Sequence, residues 1–294
     1  MELLPILEPE ERPQSRQWYV VVPTGAGPGV SVGHTCTFVA SSDGGKGRIV
    51  IVGGANPDGS FSDSYIINLA DAEGRGLWQT VQVKGMAPSV RTYHTSSACV
   101  DDRLFVFSGG DAGASPVTDP QLHVFDTVSV TWLQPESKGT PPAPRHGHVI
   151  TAVGSNIYIH GGMAGEKFYN DMFLLSTETM KWEKVRAKGD IPPGVAAHSS
   201  VTLGKNIFIF GGITADGATN AMYTFQCDKQ RWTRMKFDGD LPPSRLDHSM
   251  CVVPWRVKTP EESCDTDVVH LCFIFGGMDT QGVIFNDCLV TMLT

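Results

Sequence analysis

Histidine recurs at regular intervals along the chain, and imidazole is the side chain best suited to metal binding and to proton transfer near neutral pH. The recurring histidines lie 60, 54, 50 and 50 residues apart: His34, His94, His148, His198 and His248. Catalytic metal sites are asymmetric and keep an open coordination position. A histidine that recurs in every unit therefore indicates an architectural role, and the sequence predicts neither a metal site nor a cofactor.

Acid–base chemistry needs carboxylates that converge on a cavity, and the segments around these histidines contain only one, Asp247. The chain also has no P-loop and no H-E-x-x-H motif. An enzyme acting on a small molecule is therefore the least favoured of the functions considered.

Three arginines, Arg91, Arg145 and Arg245, each precede a repeat histidine by three residues. Guanidinium groups gathered on one rim could bind carboxylates or phosphates of a partner in bidentate fashion. Alternatively, each arginine could tether a neighbouring loop of its own chain, and this second interpretation is favoured.

Variable loops follow a recurring Gly-Gly pair, and loops on a rigid scaffold are common binding surfaces. The loop with Glu166, Lys167 and Phe168 combines charge with an aromatic ring, and it is the best candidate for a partner contact. Trp255 lies outside the repeat pattern and is the tryptophan most suited to contact a partner.

The elements that must position these residues form a repeat. Each unit has an apolar run that ends in two glycines: Gly53 and Gly54, Gly109 and Gly110, Gly161 and Gly162, Gly211 and Gly212, and Gly276 and Gly277. A tryptophan stands 16 residues before each repeat histidine: Trp18, Trp78, Trp132, Trp182 and Trp232. We expect these tryptophans to pack inside the sheets. Four short strands per unit of about 50 residues are typical of the blades of a β-propeller.

Counting strands predicts an all-β propeller of five four-stranded blades. The last unit lacks its fourth strand, and the lone strand around Trp18 is expected to close that blade and so protect its edge. The prediction assigns residues 1–17 to a tail and residues 18–294 to a single domain. An inserted polar loop is expected at residues 254–270.

Charge and composition narrow the class of partner. The net charge is −8 and no basic block is present, so a nucleic-acid partner is not expected. No apolar run is long enough to span a bilayer, and direct membrane insertion is not expected either. Seven scattered cysteines without a C-x-x-C motif indicate reduced thiols and a cytoplasmic location.

The repeat resembles the kelch superfamily across residues 18–294. Within it, FSDSYIINL, PVTDPQLHVFD, PRHGHV, HGGMAGEKFYNDM, FIFGGITADGA and LPPSRLDHSMCVVPW resemble a subgroup of effectors of a late-endosomal Rab GTPase. The resemblance implies a non-catalytic scaffold that binds the GTP-loaded Rab, supports endosome-to-trans-Golgi transport, associates with a phosphoinositide kinase and reaches endosomal membranes through its partners. It also implies six repeats, whereas five are found, so about one blade is expected to be missing near the first two units. A kelch adaptor for a different protein client is the alternative.

Overall fold

The computed structural model describes residues 4–6, 12, 14–21, 35–39, 48–56, 59–68, 77–80, 83–89, 91, 98–111, 115–258 and 266–294. Regular secondary structure over these residues consists of strands, without a helix. The chain divides into two compact units. Unit I comprises Met1–Gly29, Lys188–Pro192 and His198–Thr294, and unit II comprises Val30–Ala187 and Pro193–Ala197.

Unit II contains three sheets, and each is built on four antiparallel strands that follow in chain order. Sheet 1 consists of Thr35–Val39, Arg48–Asn56, Gly59–Asn68 and Leu77–Thr80. Sheet 2 consists of Ala98–Val100, Arg103–Phe107, Leu122–Asp126 and Thr131–Leu133. Sheet 3 consists of His146–Val153, Asn156–Ala164, Met172–Ser176 and Lys181–Lys184, with Lys167–Phe168 added beside its second strand. The strand Val195–Ala196 also belongs to this unit.

Unit I contains two further sheets built on four antiparallel strands. Sheet 4 consists of Ser199–Leu203, Asn206–Phe210, Met222–Gln226 and Arg231–Arg234. Sheet 5 consists of Ser249–Lys258, Thr266–Phe275, Cys288–Leu293 and the N-terminal strand Trp18–Val21. The strands Ile213–Thr214 and Gly217–Ala218 form a small hairpin. The described residues therefore contain five sheets of the type that forms propeller blades, as the repeat predicts.

The N-terminal strand completes sheet 5, as predicted from the strand count. Trp18 pairs with Thr291 and Val21 with Cys288, in antiparallel register. The residue two positions before the tryptophan has positive φ here, at Arg16 (65°), and at the corresponding places in sheets 2 to 4: Val130 (55°), Met180 (51°) and Gln230 (48°). The residue two positions before the tryptophan thus has the same left-handed backbone conformation in sheets 2 to 5.

The predicted polar loop at residues 254–270 is partly wrong. The first two strands of sheet 5 continue into it as a hairpin, and Pro254 pairs with His270 and Lys258 with Thr266. Alternating side chains such as the buried Val257 allow the sheet to extend past the point where its third strand ends. Residues 259–265 lie outside the described residues.

Lys-Gly pairs add an outer strand that the sequence reasoning missed. Lys84–Gly85, Lys138–Gly139 and Lys188–Gly189 run parallel to the fourth strands of sheets 2, 3 and 4. Each glycine has positive φ, between 75° and 85°. A Cβ atom on Gly189 would stand 2.2 Å from the carbonyl oxygen of Trp232, so this close approach requires glycine. The recurring Lys-Gly before a proline was the available sequence signal.

The repeat tryptophans pack inside the sheets, as predicted, wherever their side chains are described. Trp18, Trp132, Trp182 and Trp232 are 0–3% exposed. Trp232 lies against Phe225 with ring centroids 5.0 Å apart, and Trp132 lies against Phe125 at 4.9 Å. The side chain of Trp78 lies outside the described residues. These rings supply much of the apolar surface that each sheet buries.

The glycine pairs make sharp bends, inside the second strand of sheet 3 and directly after the second strand of sheet 5. Gly161, Gly162, Gly276 and Gly277 all have positive φ. A Cβ on Gly162 would lie 2.8 Å from the Cβ of His148, and one on Gly277 would lie 2.9 Å from the Cβ of His248. The second glycine therefore lies in close contact with the repeat histidine, and any side chain at its position would clash with that histidine. In sheet 1 the same place is a register shift between Val52 and Gly54.

Sheet 2 departs from this pattern by one residue. Phe107 pairs with Leu122 just as His160 pairs with Met172 in sheet 3. Ser108 (φ 55°) therefore takes the place of the first glycine and Gly109 that of the second. The pair written as Gly109 and Gly110 in the sequence is shifted along the chain relative to the structural repeat.

Candidate protein-interaction site

Arg245 is a buried clamp rather than a surface cation. Its side chain is fully buried and donates to both carboxylate oxygens of Asp287, at 2.6 and 3.0 Å. It also donates to the carbonyl oxygens of Gly276 (2.9 Å) and Pro243 (3.4 Å). Its guanidinium carbon lies 4.3 Å from the centre of the Phe285 ring. The arginine thus ties the connection before sheet 5 to the turn at Gly276 and to Asp287, which directly precedes the third strand of that sheet.

Arg145 makes the same arrangement in sheet 3. It donates to Asp171 at 2.7 Å and to the carbonyl oxygen of Gly161 at 3.0 Å, and its guanidinium carbon lies 4.1 Å from the centre of the Tyr169 ring. The guanidinium is 1% exposed. In both sheet 3 and sheet 5, therefore, a buried arginine donates a hydrogen bond to a turn carbonyl that would otherwise lack a partner.

Arg91 joins a wider network in sheet 2. It donates to the carbonyl oxygen of Ser108 (3.0 Å) and to Asp119 (3.1 Å). His123 lies 2.6 Å from Asp119, and the amide of Gln134 lies 3.2 Å from the other ring nitrogen of His123. The amide must donate, so this nitrogen accepts, and Nε2–H faces the carboxylate.

Burial and hydrogen bonding set the protonation states in this network. Burial lowers the pKa of His123 and outweighs the opposing effect of Asp119. Burial alone would raise the pKa of Asp119, but hydrogen bonds from Gln121, His123 and Arg91 lower it. An ionised Asp119 beside a neutral His123 forms a satisfied internal network, without a group poised for catalysis near neutral pH.

The prediction that Arg91, Arg145 and Arg245 contact a partner is therefore wrong. Their side chains are 0–3% exposed, and each one is bonded within its own chain. The alternative interpretation, in which each arginine tethers a neighbouring segment, describes the structure. A partner can reach these groups only if the connections open.

The repeat histidines that are described lie in the interior. His148 and His198 are 0–1% exposed, and His248 is 6% exposed. Burial, aided by the charge of Arg245, lowers the pKa of His248 to about 3. Its ring therefore stays neutral at physiological pH and packs 5.3 Å from Phe210. These contacts fit the architectural role, while His34 and His94 lie outside the described residues.

The loop with Glu166 and Lys167 presents both of these side chains to solvent. Lys167 pairs with Ala164 and Phe168 pairs with Met163, so the loop is a short hairpin. Phe168 is half-buried, and a Cβ on Gly194 would clash with it at 2.8 Å. Of the three residues predicted to contact a partner here, Phe168 is therefore partly used in packing.

Trp255 is less accessible than its place in an insert suggests. It lies on the first strand of sheet 5, pairs with Val269 and packs against a cluster that contains Tyr19, Leu271 and Val290. Its side chain is half-buried. A partner contact at Trp255 stays a prediction, restricted to the part of the ring that faces solvent.

An exposed apolar pair that the sequence reasoning did not single out lies in the loop after Gly277. Val283 and Ile284 are 54% and 57% exposed. The sequence signal was available, since two adjacent β-branched residues stand in a loop rather than in a strand. This loop, residues 278–285, is called the sheet 5 loop below.

Two known families match the chain. The KLHDC2/KLHL20/DRC7 Kelch-repeats domain matches residues 12–212, and the Kelch motif matches residues 194–238. The chain belongs to the kelch-repeat family. Its fold class is that of the kelch β-propeller.

Several vertebrate proteins are similar to this kelch chain over its full length. Proteins named "Rab9 effector protein with kelch motifs" are 65% identical in Danio rerio, 51% in Xenopus laevis and 44% in Homo sapiens, and each alignment covers 100% of both chains. The Danio rerio alignment spans 352 positions, and 352 less the 294 residues of this chain leaves 58 positions in gaps. That number is close to the length of one repeat unit, and the loss of one blade stays a prediction.

Groups that could hold a metal or cross a membrane were sought in the same structure. Over the described ranges, three or more His, Cys, Asp or Glu side chains do not gather into a cluster that could hold a metal ion. Those ranges also contain no helix that is long and apolar enough to cross a bilayer.

Proposed function

We propose that this kelch protein is a non-catalytic scaffold that binds the GTP-loaded form of a late-endosomal Rab GTPase and acts in endosome-to-trans-Golgi transport. The observation that carries the proposal is the similarity over full length to proteins whose name states that they are Rab9 effectors. A cytoplasmic chain that reaches endosomal membranes through the lipidated GTPase, with a phosphoinositide kinase as a further partner, belongs to the same proposal.

The described geometry supports binding rather than chemistry. The buried arginines Arg91, Arg145 and Arg245 are paired with aspartates of the same chain, and the repeat histidine His248 is neutral. The described loops after Gly162 and Gly277 are short and hydrogen bonded, so they present side chains with little loss of conformational entropy on binding. Recognition of the GTP form would depend on switch segments that the γ-phosphate orders.

The experiment is a titration of the purified chain against Rab9 loaded with a non-hydrolysable GTP analogue and, separately, with GDP. We expect at least tenfold tighter binding to the GTP form, a difference of about 1.4 kcal/mol. Equal affinity for the two forms would contradict an effector role. A second Rab GTPase in its GTP form is the control for specificity.

A kelch adaptor for another protein client is the second candidate. The 58 gap positions in the Danio rerio alignment favour it, because a missing unit could have carried the Rab site. In that case the folded chain would bind neither nucleotide form, while the longer relative would bind the GTP form under the same conditions.

A further inference from the structure

The outer edge of sheet 4 is basic, although the chain as a whole is acidic. Residues 229–236 contain Lys229, Arg231, Arg234 and Lys236 and no carboxylate. Lys188, on the added outer strand, stands opposite Arg231 in parallel register. All five residues are exposed. The net charge of the chain is −8, so this set of five, called the basic edge below, has the opposite sign to the rest of the molecule.

The fold does not require so many cations at this place. Lys188 and Arg231 are direct partners in register, and like charges on neighbouring strands repel each other. In sheet 2 the same register pairs Lys84 with Thr131, so a neutral residue serves equally well opposite the lysine. The second cation of the pair in sheet 4 therefore lowers stability without a structural need.

Sheet 3 shows how cations at these positions can be neutralised within the chain. Lys181 binds Glu183 at 2.8 Å, and the ammonium group of Lys184 lies 3.7 Å from Asp171. Sheet 4 keeps cations at the two lysine positions but has neutral residues at the two carboxylate positions: Arg231 and Arg234, and Thr233 and Ala221. The positive charge that sheet 3 balances internally thus remains on the surface of sheet 4.

The acidic residues near the basic edge are fewer and are partly engaged. Two exposed ion pairs use the carboxylates that flank residues 229–236 in sequence: Lys205 with Asp228 at 3.0 Å, and Arg16 with Asp238 at 3.4 Å. Asp190 accepts a hydrogen bond from the backbone N–H of Arg234 at 3.1 Å, and Asp240 lies further along the connection to sheet 5. The five cations therefore outnumber the acidic groups beside them.

The cations point to both faces of the sheet. Side chains alternate along a strand, so Arg231 lies on one face and Arg234 lies on the other, the face that buries Trp232. Lys188 lies on the same side as Arg231, because the two are in register. A peptide bound along one face would reach only part of this set. A broad, flat surface that approaches the edge of the sheet meets the cations of both faces.

We infer that the basic edge is a docking surface for a membrane whose lipid headgroups are anionic. Long lysine and arginine side chains can reach the phosphate and carboxylate groups of such headgroups, and each cation strengthens adsorption about fivefold. The contact involves headgroups only and requires no insertion into the hydrocarbon. Because the rest of the chain is acidic and is repelled by the same surface, the basic edge also sets the orientation of the protein on the membrane.

The test measures adsorption of the purified full chain to vesicles of phosphatidylcholine and to vesicles that also contain phosphatidylserine. We expect binding to the second kind to be at least about tenfold stronger and to weaken as the salt concentration rises, because exposed charges are screened. The variant Arg231→Gln/Arg234→Gln/Lys236→Gln should weaken binding to the phosphatidylserine vesicles at least about tenfold.

A matched control removes the same charge elsewhere. Lys84→Gln/Arg103→Gln/Lys167→Gln changes three exposed cations of unit II and should alter binding to the phosphatidylserine vesicles less than about twofold. All six exchanged residues are exposed, so both variants should unfold at the temperature of the unaltered chain. This measurement shows that a loss of binding does not reflect misfolding.

Three results would overturn the inference. They are equal or absent binding to the two kinds of vesicle, equal losses in the two triple variants, and tighter binding to a soluble poly-glutamate peptide than to the vesicles, which would assign the basic edge to an acidic protein. This inference goes beyond the proposed function and does not depend on it. The GTPase is absent from the vesicle assay, so failure here leaves the effector role standing, and failure of the GTPase titration leaves membrane docking standing.

Discussion

Replacing the buried arginine of sheet 5 should show how much the clamp contributes. In Arg245→Met most of the side-chain volume is kept, but Asp287 loses its cation and the Gly276 carbonyl loses a donor. Breaking a buried pair costs about 3–5 kcal/mol, and the lower end applies here because the Asp287 side chain is 31% exposed. We expect a loss of about 3 kcal/mol in the free energy of unfolding.

The partner substitution should cost at least as much. Asp287→Ala leaves a guanidinium that is 0% exposed with backbone carbonyls as its remaining hydrogen-bond partners, so a loss of about 3–5 kcal/mol is expected. The double variant should lose clearly less than the sum of the two, with a coupling of at least about 2 kcal/mol. The fourth repeat unit supports a strong coupling between the two residues, because it has Val195 at the position of the arginine and Ala221 at the position of the aspartate.

The equivalence of these positions comes from backbone bonding. Gly211 donates to Ala221 just as Gly276 donates to Asp287, and Val195 donates to Tyr169 just as Arg245 donates to Thr219. Where the arginine is replaced by an apolar residue, the aspartate is replaced as well. This pattern is expected if an unpaired member of the clamp is the costly state.

The assay is urea unfolding followed by tryptophan fluorescence and by circular dichroism, with coincidence of the two probes as the test for two-state behaviour. Arg245→Lys is the matched control, since an ammonium group keeps the charge but lacks the planar fork, and it should recover only part of the loss. Strictly additive losses, with a coupling below about 0.5 kcal/mol, would refute the reasoning, because independent sites behave in that way.

Three further predictions concern single positions. Gly189→Ala should cost at least about 2 kcal/mol in thermal unfolding because its Cβ would meet the Trp232 carbonyl oxygen at 2.2 Å, whereas Gly239→Ala, with φ 84° and open space, should cost about 1 kcal/mol. Asp247→Asn should raise the free energy of unfolding at pH 7 by up to about 3 kcal/mol, because burial raises the pKa of Asp247 from 3.8 to about 6. The stabilisation that the neutral acid gives the unaltered chain is complete below pH 3.8 and is lost as pH rises through 6. Unfolding measured from pH 4 to 8 should therefore show the difference vanish at the acidic end, and a constant difference would contradict the assignment. Trp18→Ala should cost about 3–5 kcal/mol in urea unfolding, because the side chain is 1% exposed and its ring centroid lies 5.1 Å from that of Phe210. A loss below about 1 kcal/mol would mean that the N-terminal strand is not needed to complete sheet 5.

Much of the fold could be predicted because the repeat is strict. The 16-residue offset between each tryptophan and its histidine sets the register of the units. The strand around Trp18 precedes the first complete unit, and the last unit is the one that lacks a fourth strand, so the two are expected to pair. Pairing of Trp18 with Thr291 follows from that count. Closure of the five sheets into one ring stays a prediction.

The candidate site was harder to predict, because burial is a property of three dimensions. Arg145 looks the same in sequence whether it faces solvent or stacks under Tyr169. What distinguishes the two cases is the carboxylate of Asp171, which lies 26 residues away along the chain. The insert at residues 254–270 was predicted as a loop because of its polar residues. Apolar residues alternate with them around Trp255, and this alternation allows the first two strands of sheet 5 to continue into the insert.

Features that repeat and features that do not repeat have different meanings in such a molecule. The arginine clamps, the glycine turns and the buried tryptophans recur between sheets and are satisfied by contacts within the chain, so they stabilise the blades without marking any one of them. A partner that must bind in a single orientation needs a feature that one blade alone possesses. Asp247 has Gly147 and Ala197 as its counterparts in sheets 3 and 4, and the sheet 5 loop exposes the adjacent pair Val283 and Ile284. Asymmetry superimposed on a symmetric scaffold is thus the physical reason to look for recognition in sheets 4 and 5.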